Sequence, residues 1–237
     1  MIFGRGTPLG QQVTAGLRAL LPATVETEHA TTDASGDVLF PAEQAAVAGA
    51  VAKRRAEFAT VRDCARRALN RLGHPPAPIL PGPTREPEWP AGVVGSLTHC
   101  DGYRAAAVAR TGDILTVGVD AETHEPLPGG VARLVTVGDE PRRLAQLTDA
   151  VPGVAWDRVL FSAKESIYKA WFPLARAWLD FTECELTIDP DAGTFTGRLL
   201  VAGPTIGSRT IERFTGRWVI HASHILTAAW EPAGRSD

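Results

Sequence analysis

Apolar residues recur at helical spacing from about residue 42 to residue 72. Phe58, Val61, Ala65, Ala68 and Leu72 fall at three- and four-residue steps. Gly73 followed by His74-Pro75-Pro76 ends the pattern, because glycine closes helices and proline cannot continue them. Residues 1–40 show no such period and carry the breakers Pro22, Asp33, Gly36 and Pro41, so that stretch is expected to be irregular. Residues 75–91 are crowded with proline and predict an extended crossing. Three short strands are predicted beyond it, at 93–99, 103–109 and 114–121, with Asp101-Gly102 as a tight turn.

The order then repeats. After the proline-bearing segment 125–130, residues 156–178 predict a long helix, with a kink expected at Pro173. Strands are predicted at 184–188, 194–201, 214–220 and 225–230, with turn chemistry in Asp189-Pro190-Asp191-Ala192-Gly193. The halves share no residue-level repeat, only helix first and strands after. The expectation is an α+β protein of two similar αβ lobes, residues 1–124 and 125–237. The cleft between lobes is the favoured place for a ligand.

Composition narrows the classes. With 237 residues, 44% apolar and 22% charged, the chain can bury a full core without staples. A net charge of -3 gives no global field toward nucleic acid or anionic membrane, and neither is expected as a partner. Cys64, Cys100 and Cys184 are odd in number and far apart, which argues against a disulfide framework or a zinc knuckle. A cytoplasmic, reducing setting is expected. The first 22 residues lack a signal-peptide pattern, and no stretch has the apolar length of a membrane span.

Four clusters carry candidate chemistry. In LTVGVDAE the alternation puts Asp120 and Glu122 on one strand face, where two carboxylates repel unless a cation lies between them. The plain alternative is a polar strand end. In FSAKESIYKAWFP, Glu165 and Lys169 share a helix face among Phe161, Tyr168 and Phe172; the alternative is a surface ion pair. The helix from Lys53 to Arg71 carries Lys53, Arg54, Arg55, Arg62, Arg66, Arg67 and Arg71. That charge suits an anionic partner, phosphate above all, or is a solvated face. GSLTHC, residues 95–100, offers a histidine that binds phosphate or caps a turn.

In this order, the basic helix, GSLTHC, VGVDAE and FSAKESIYKAWF resemble the 4'-phosphopantetheinyl transferases. The resemblance is to the large single-chain class that activates polyketide and peptide synthetases, the surfactin-synthetase-activating type. It runs from about residue 53 to 181. It implies a pseudo-dimer of two αβ lobes in one monomeric chain, with coenzyme A in the cleft. It implies a reaction in which a carrier-protein serine attacks the β-phosphorus of the coenzyme A pyrophosphate and 3',5'-ADP leaves. The partners implied are acyl or peptidyl carrier protein domains, and the cofactor is a magnesium ion.

The resemblance also assigns residues. Asp120, Glu122 and Glu165 match the metal carboxylates, with Asp120, Glu165 and Lys169 catalytic. Lys164 and Lys169 match lysines near the pyrophosphate. Arg54 and Arg62 match residues that grip coenzyme A phosphates, and Thr98 with His99 match the pair at the 3'-phosphate. Where many relatives carry a Lys-Gly stretch, this chain has Pro81-Gly82, so contact there is left to backbone or to Arg85. Glu165 is the expected base, directly or through a water. An apolar stretch at 171–179, bearing Arg176, is the expected carrier-docking face unless it is core. Two rivals stand beside this reading. A magnesium-dependent nucleotide transferase lacks support from any Walker loop or kinase signature. A non-catalytic coenzyme A-binding module is opposed by retention of all three carboxylates and both helix lysines.

Overall fold

The computed structural model describes residues 16–234. The readings made on residues 1–15 lie outside them. The helical pattern over 42–72 resolves into two helices, α1 (Pro41–Ala46) and α2 (Ala52–Arg71), parted around Gly49. Alanine and arginine dominate α2, and both are strong helix formers. Gly73, at φ 87°, supplies the left-handed turn that ends it.

Helix α2 lays Cys64, Ala65, Ala68 and Leu69 on Ala106 and Val108 of strand β3 (Tyr103–Arg110). That strand is the centre of a three-stranded antiparallel sheet, flanked by β1 (Glu26–Ala30) and β2 (Val93–Cys100). Strand β1 corrects the irregular reading of residues 1–40. Its sequence, ETEHA, has no apolar alternation to reveal it. Arg71 holds it from α2, donating to Glu26 (2.9 Å), Glu28 (2.8 Å) and the Thr27 carbonyl (2.6 Å).

The second sheet has five antiparallel strands: β4 (Ile114–Thr123), β10 (His224–Pro232), β9 (Arg213–His221), β6 (Thr194–Leu199) and β5 (Cys184–Asp189), in that order. Helix α5 (Trp156–Ala175) covers one face with Ile167, Ala170 and Trp171 over Phe214 and Ile225. Pro173 lies in its last turn, and Arg176 caps it at φ 50°. Helices α3 (Val131–Val135) and α4 (Glu140–Ala150) and the small hairpin β7 (Thr205–Ile206)–β8 (Arg209–Thr210) fill stretches whose pattern gave no element.

The two sheets pack face to face. Ala105, Ala107 and Ala109 of β3 meet Val117, Val119 and Ala121 of β4 and Leu226 and Ala228 of β10. The layers run α2, three strands, five strands, α5. The fold is α+β, as expected from the order of elements. The lobe division at 124 does not follow the hydrogen bonding. Strand β4 pairs with β10 along its whole length and belongs to the second sheet, so the seam falls at the β3–β4 turn. No helix among the described residues is long and apolar enough to cross a membrane.

Candidate active site

A cleft of about 1180 Å³ opens between α2, the proline-rich crossing, β2 and the later turns of α5. Arg54, Arg62, Arg85, His99, Lys169 and Arg176 line it. These are basic groups drawn from both halves, converging on a single cavity.

Beside this cleft, joined to it through Lys169, β4 and α5 build a cluster of carboxylates. Alternation along β4 turns Val117, Val119 and Ala121 into the core and Gly118, Asp120 and Glu122 toward α5. Gly118 sets the spacing. A Cβ there would stand 1.9 Å from the Ser166 carbonyl oxygen and 2.6 Å from the Ala170 nitrogen. Only glycine lets the helix backbone come this close. The approach brings Lys169 Nζ to 2.7 Å from Asp120 Oδ1 and 3.1 Å from the Val119 carbonyl. Ser162 Oγ donates to Asp120 Oδ2 at 2.8 Å, and Thr98 Oγ1 donates to Oδ1 at 3.2 Å. Glu122 accepts from Arg158 at 2.8 Å.

Glu165 has no such cation on it. Burial pushes its carboxyl above the ordinary range; Lys169 pulls it back, while Asp120 and Glu122 push it further up. Burial raises Glu122 as well, with the Asp120 charge second. Among the described residues no three acid, histidine or cysteine side chains stand at metal-holding separation. Lys169 sits on Asp120 and Arg158 on Glu122. The donor set still fits magnesium by its chemistry. It consists of hard carboxylate oxygens, and two of the three acids are raised partly by mutual repulsion, which a divalent cation relieves.

The basic end faces α2. Strand alternation puts His99 on the α2 side of β2 and Thr98 on the opposite side, toward β4. Arg54 reaches His99 Nε2 at 2.5 Å, and Glu57 lies 3.6 Å from both Arg54 and His99 Nδ1. Burial, then the Arg54 charge, holds the His99 pKa below its usual value. Arg62 stacks 3.4 Å above the Phe58 ring and donates to the Ile79 carbonyl. Its burial lowers the guanidinium to about 10.

Two expected binding residues stand elsewhere. Lys164 is 3% exposed, and its ammonium is spent on Glu140, the Val135 carbonyl and the Phe181 carbonyl, at 2.7–2.8 Å. It pins α3 and α4 to α5 rather than facing the cleft. Thr98 is buried, accepting from the Ala121 amide (3.0 Å) and donating to Asp120. Thr98 and His99 therefore cannot present their side chains to one phosphate. Gly82 uses its N–H on the Glu86 carbonyl and its C=O on the Arg85 amide, both within the crossing turn. Arg85, at φ 72°, lines the cleft beside Pro81 and Pro83.

Several site residues were not read from the sequence: Ser162, Arg158, Glu57, and Arg104, which pairs with Asp33 at 2.9 Å. Ser162 stands three residues before Glu165 and so shares its helix face, a spacing signal that was available. Arg104 and Asp33 meet only through the β1–β3 pairing, which sequence spacing does not reveal.

The sequence that builds this arrangement, a basic cleft with a carboxylate cluster beside it, matches known families. The model of the 4'-phosphopantetheinyl transferase N-terminal domain matches residues 42–109, and that of the 4'-phosphopantetheinyl transferase superfamily matches residues 116–223. The two matches meet across the β3–β4 turn. The chain therefore belongs to the 4'-phosphopantetheinyl transferase family, enzymes that move a phosphopantetheine arm onto carrier proteins. Among its relatives is the 4'-phosphopantetheinyl transferase Svp of Streptomyces mobaraensis, 55% identical over 93% of this chain and 92% of that protein. PptT of Mycobacterium tuberculosis is 45% identical over 89% of this chain and 95% of its own length. Npt of Nocardia iowensis is 44% identical over 90% and 98%.

Proposed function

We propose that the chain is a transferase of the large single-chain class, which activates polyketide and peptide synthetases, and that coenzyme A lies in the 1180 Å³ cleft with its phosphates toward α2. The observation that carries this is the polarity of the cleft. Helix α2 and strand β2 bring Arg54, Arg62 and His99 to one wall, and α5 brings Lys169, bonded to Asp120, to another. A ligand with a phosphate at one end and a reactive pyrophosphate further along matches that layout. His99 and Arg54 take the 3'-phosphate through charge-assisted bonds, and Arg62 stiffens the same wall.

Magnesium, held by Asp120, Glu122 and Glu165, would supply Lewis-acid polarisation of the pyrophosphate oxygens. The chain's own groups do the rest. Glu165 accepts the proton of the carrier serine, directly or through a water. Burial raises its pKa, which makes it a stronger base than an exposed glutamate. Lys169 carries the charge that suits the 3',5'-ADP phosphate as it leaves. The oxygen of the serine bonds to the β-phosphorus as the bond to ADP breaks. We infer a monomeric enzyme in the cytoplasm, a setting that the three free thiols Cys64, Cys100 and Cys184 suit.

The test is intact-mass spectrometry of an apo carrier protein incubated with the enzyme, coenzyme A and magnesium. The expected gain is about 340 Da, the mass of the arm, because the cleft places serine and pyrophosphate together. Asp120→Ala and Glu165→Ala should abolish the gain while circular dichroism holds. Coenzyme A binding without any gain would leave a non-catalytic binding module, and full transfer by Asp120→Ala would remove the carboxylate assignment.

A further inference from the structure

The geometry points to Ser162 and Thr227 as a positioning pair that fixes the Asp120 carboxylate; this rests on the metal role of Asp120 proposed above. Both side chains are 0% exposed, and Asp120 is 5% exposed. Thr227 on β10 is the cross-strand partner of Asp120 on β4, so the two side chains leave the sheet on the same face. Ser162 comes down onto that face from α5. Thr227 Oγ1 donates to the Ser162 carbonyl at 2.9 Å and lies 3.0 Å from Ser162 Oγ. Ser162 Oγ lies 2.8 Å from Asp120 Oδ2.

Two hydroxyl protons serve these contacts. The carboxylate oxygen can only accept, and it takes the one from Ser162. The Thr227 proton goes to the Ser162 carbonyl, which locks the serine from behind. The other carboxylate oxygen, Oδ1, accepts from Thr98 and Lys169. Both oxygens are thus aimed by three donors on two elements, α5 and β2, and the plane of the carboxylate is set before any ligand arrives. A fully buried hydroxyl pair in a site this tight does more than fill space. Alanine at 162 removes the donor on Oδ2, and valine at 227 removes the hydroxyl that holds Ser162 from behind. Partners behind a metal ligand typically change metal affinity by about 10–100-fold when removed.

The experiment titrates Mn²⁺ against the full chain with coenzyme A present, reading the free-ion electron paramagnetic resonance signal, alongside steady-state constants. Ser162→Ala should weaken Mn²⁺ binding by about tenfold or more and lower kcat, with KM for coenzyme A held within about twofold. Thr227→Val should lose about severalfold in Mn²⁺ affinity, and Thr227→Ser, which keeps the hydroxyl, should restore it. Thr227→Val and Thr227→Ser carry the test should Ser162→Ala fail to fold. Equal Mn²⁺ affinity in wild type, Ser162→Ala and Thr227→Val, with Asp120→Asn weakened, overturns the positioning pair alone. A wild-type chain that binds no Mn²⁺ overturns the metal reading and the pair with it.

Discussion

His99 is the residue whose charge state decides most at the basic end. Arg54 donates to its Nε2, so the free ring carries its proton on Nδ1, toward Glu57. Burial, and after it the Arg54 charge, holds its pKa below the ordinary value. In the proposed complex the 3'-phosphate takes Arg54 for itself and favours the imidazolium. Binding then takes up a proton: coenzyme A affinity rises as pH falls through the pKa of the complex and levels off below that of the free ring. KM for coenzyme A should therefore climb with pH across that window. His99→Gln should raise KM by about tenfold at low pH, the scale of one charge-assisted bond, and flatten the profile. Dephospho-coenzyme A should give a flat profile with the unaltered enzyme. A pH slope shared by both substrates would move His99 away from the 3'-phosphate. At this scale the sequence showed which residue types matter but not where they face. Thr98 and His99 are neighbours in sequence and lie on opposite faces of β2. Lys164 and Lys169 share a helix, yet a buried acid on another helix, Glu140, takes the first for structure.

Among the elements, the close packing of α5 on β4 does most to assemble the site. Gly118 permits it, and an added methyl would press on helix backbone that cannot yield. Gly118→Ala should destabilise the fold by about 1–3 kcal/mol through overpacking. It should also push Lys169 and Glu165 outward and cut kcat by about a hundredfold, since a displacement near 1 Å costs that much. Urea unfolding and steady-state rates measure the two effects; wild-type values in both would show that α5 does not depend on this contact. The long periodic elements were legible in the sequence because each buries a continuous stripe. Strands β2, β3 and β4 fall within two residues of their expected bounds, and the end of α2 falls where expected, whereas the expected 42–72 helix breaks and α2 starts only at Ala52. Strand β1 was hidden because edge pairing and Arg71, not an apolar face, hold it. Chain order groups β4 with β3, whereas hydrogen bonding groups it with β10, a pairing that spacing along the sequence does not reveal.

The whole molecule separates the proposed docking stretch into two parts. Trp171 and Leu179 are core, but Trp178 is 69% exposed and stands against Tyr168, with ring centres 4.9 Å apart. Arg176 pairs with Glu86 across the cleft mouth, so reversing its charge would disturb coenzyme A as well as carrier. Trp178 is the cleaner probe. Trp178→Ala should raise KM for the carrier by about tenfold, a typical loss for an exposed aromatic anchor, and leave KM for coenzyme A unchanged. Unchanged carrier kinetics would place docking elsewhere. The seam strand carries a different consequence. On one edge β4 is joined to β10 by main chain; on the other its Val119 and Ala121 amides bond to Ser96 and Thr98 hydroxyls of β2. Thr98 also holds Asp120. Thr98 thus serves the seam between the halves and the Asp120 carboxylate at once, so a chain that opens at this seam should lose a donor on Oδ1 together with the contact to the Ala121 amide.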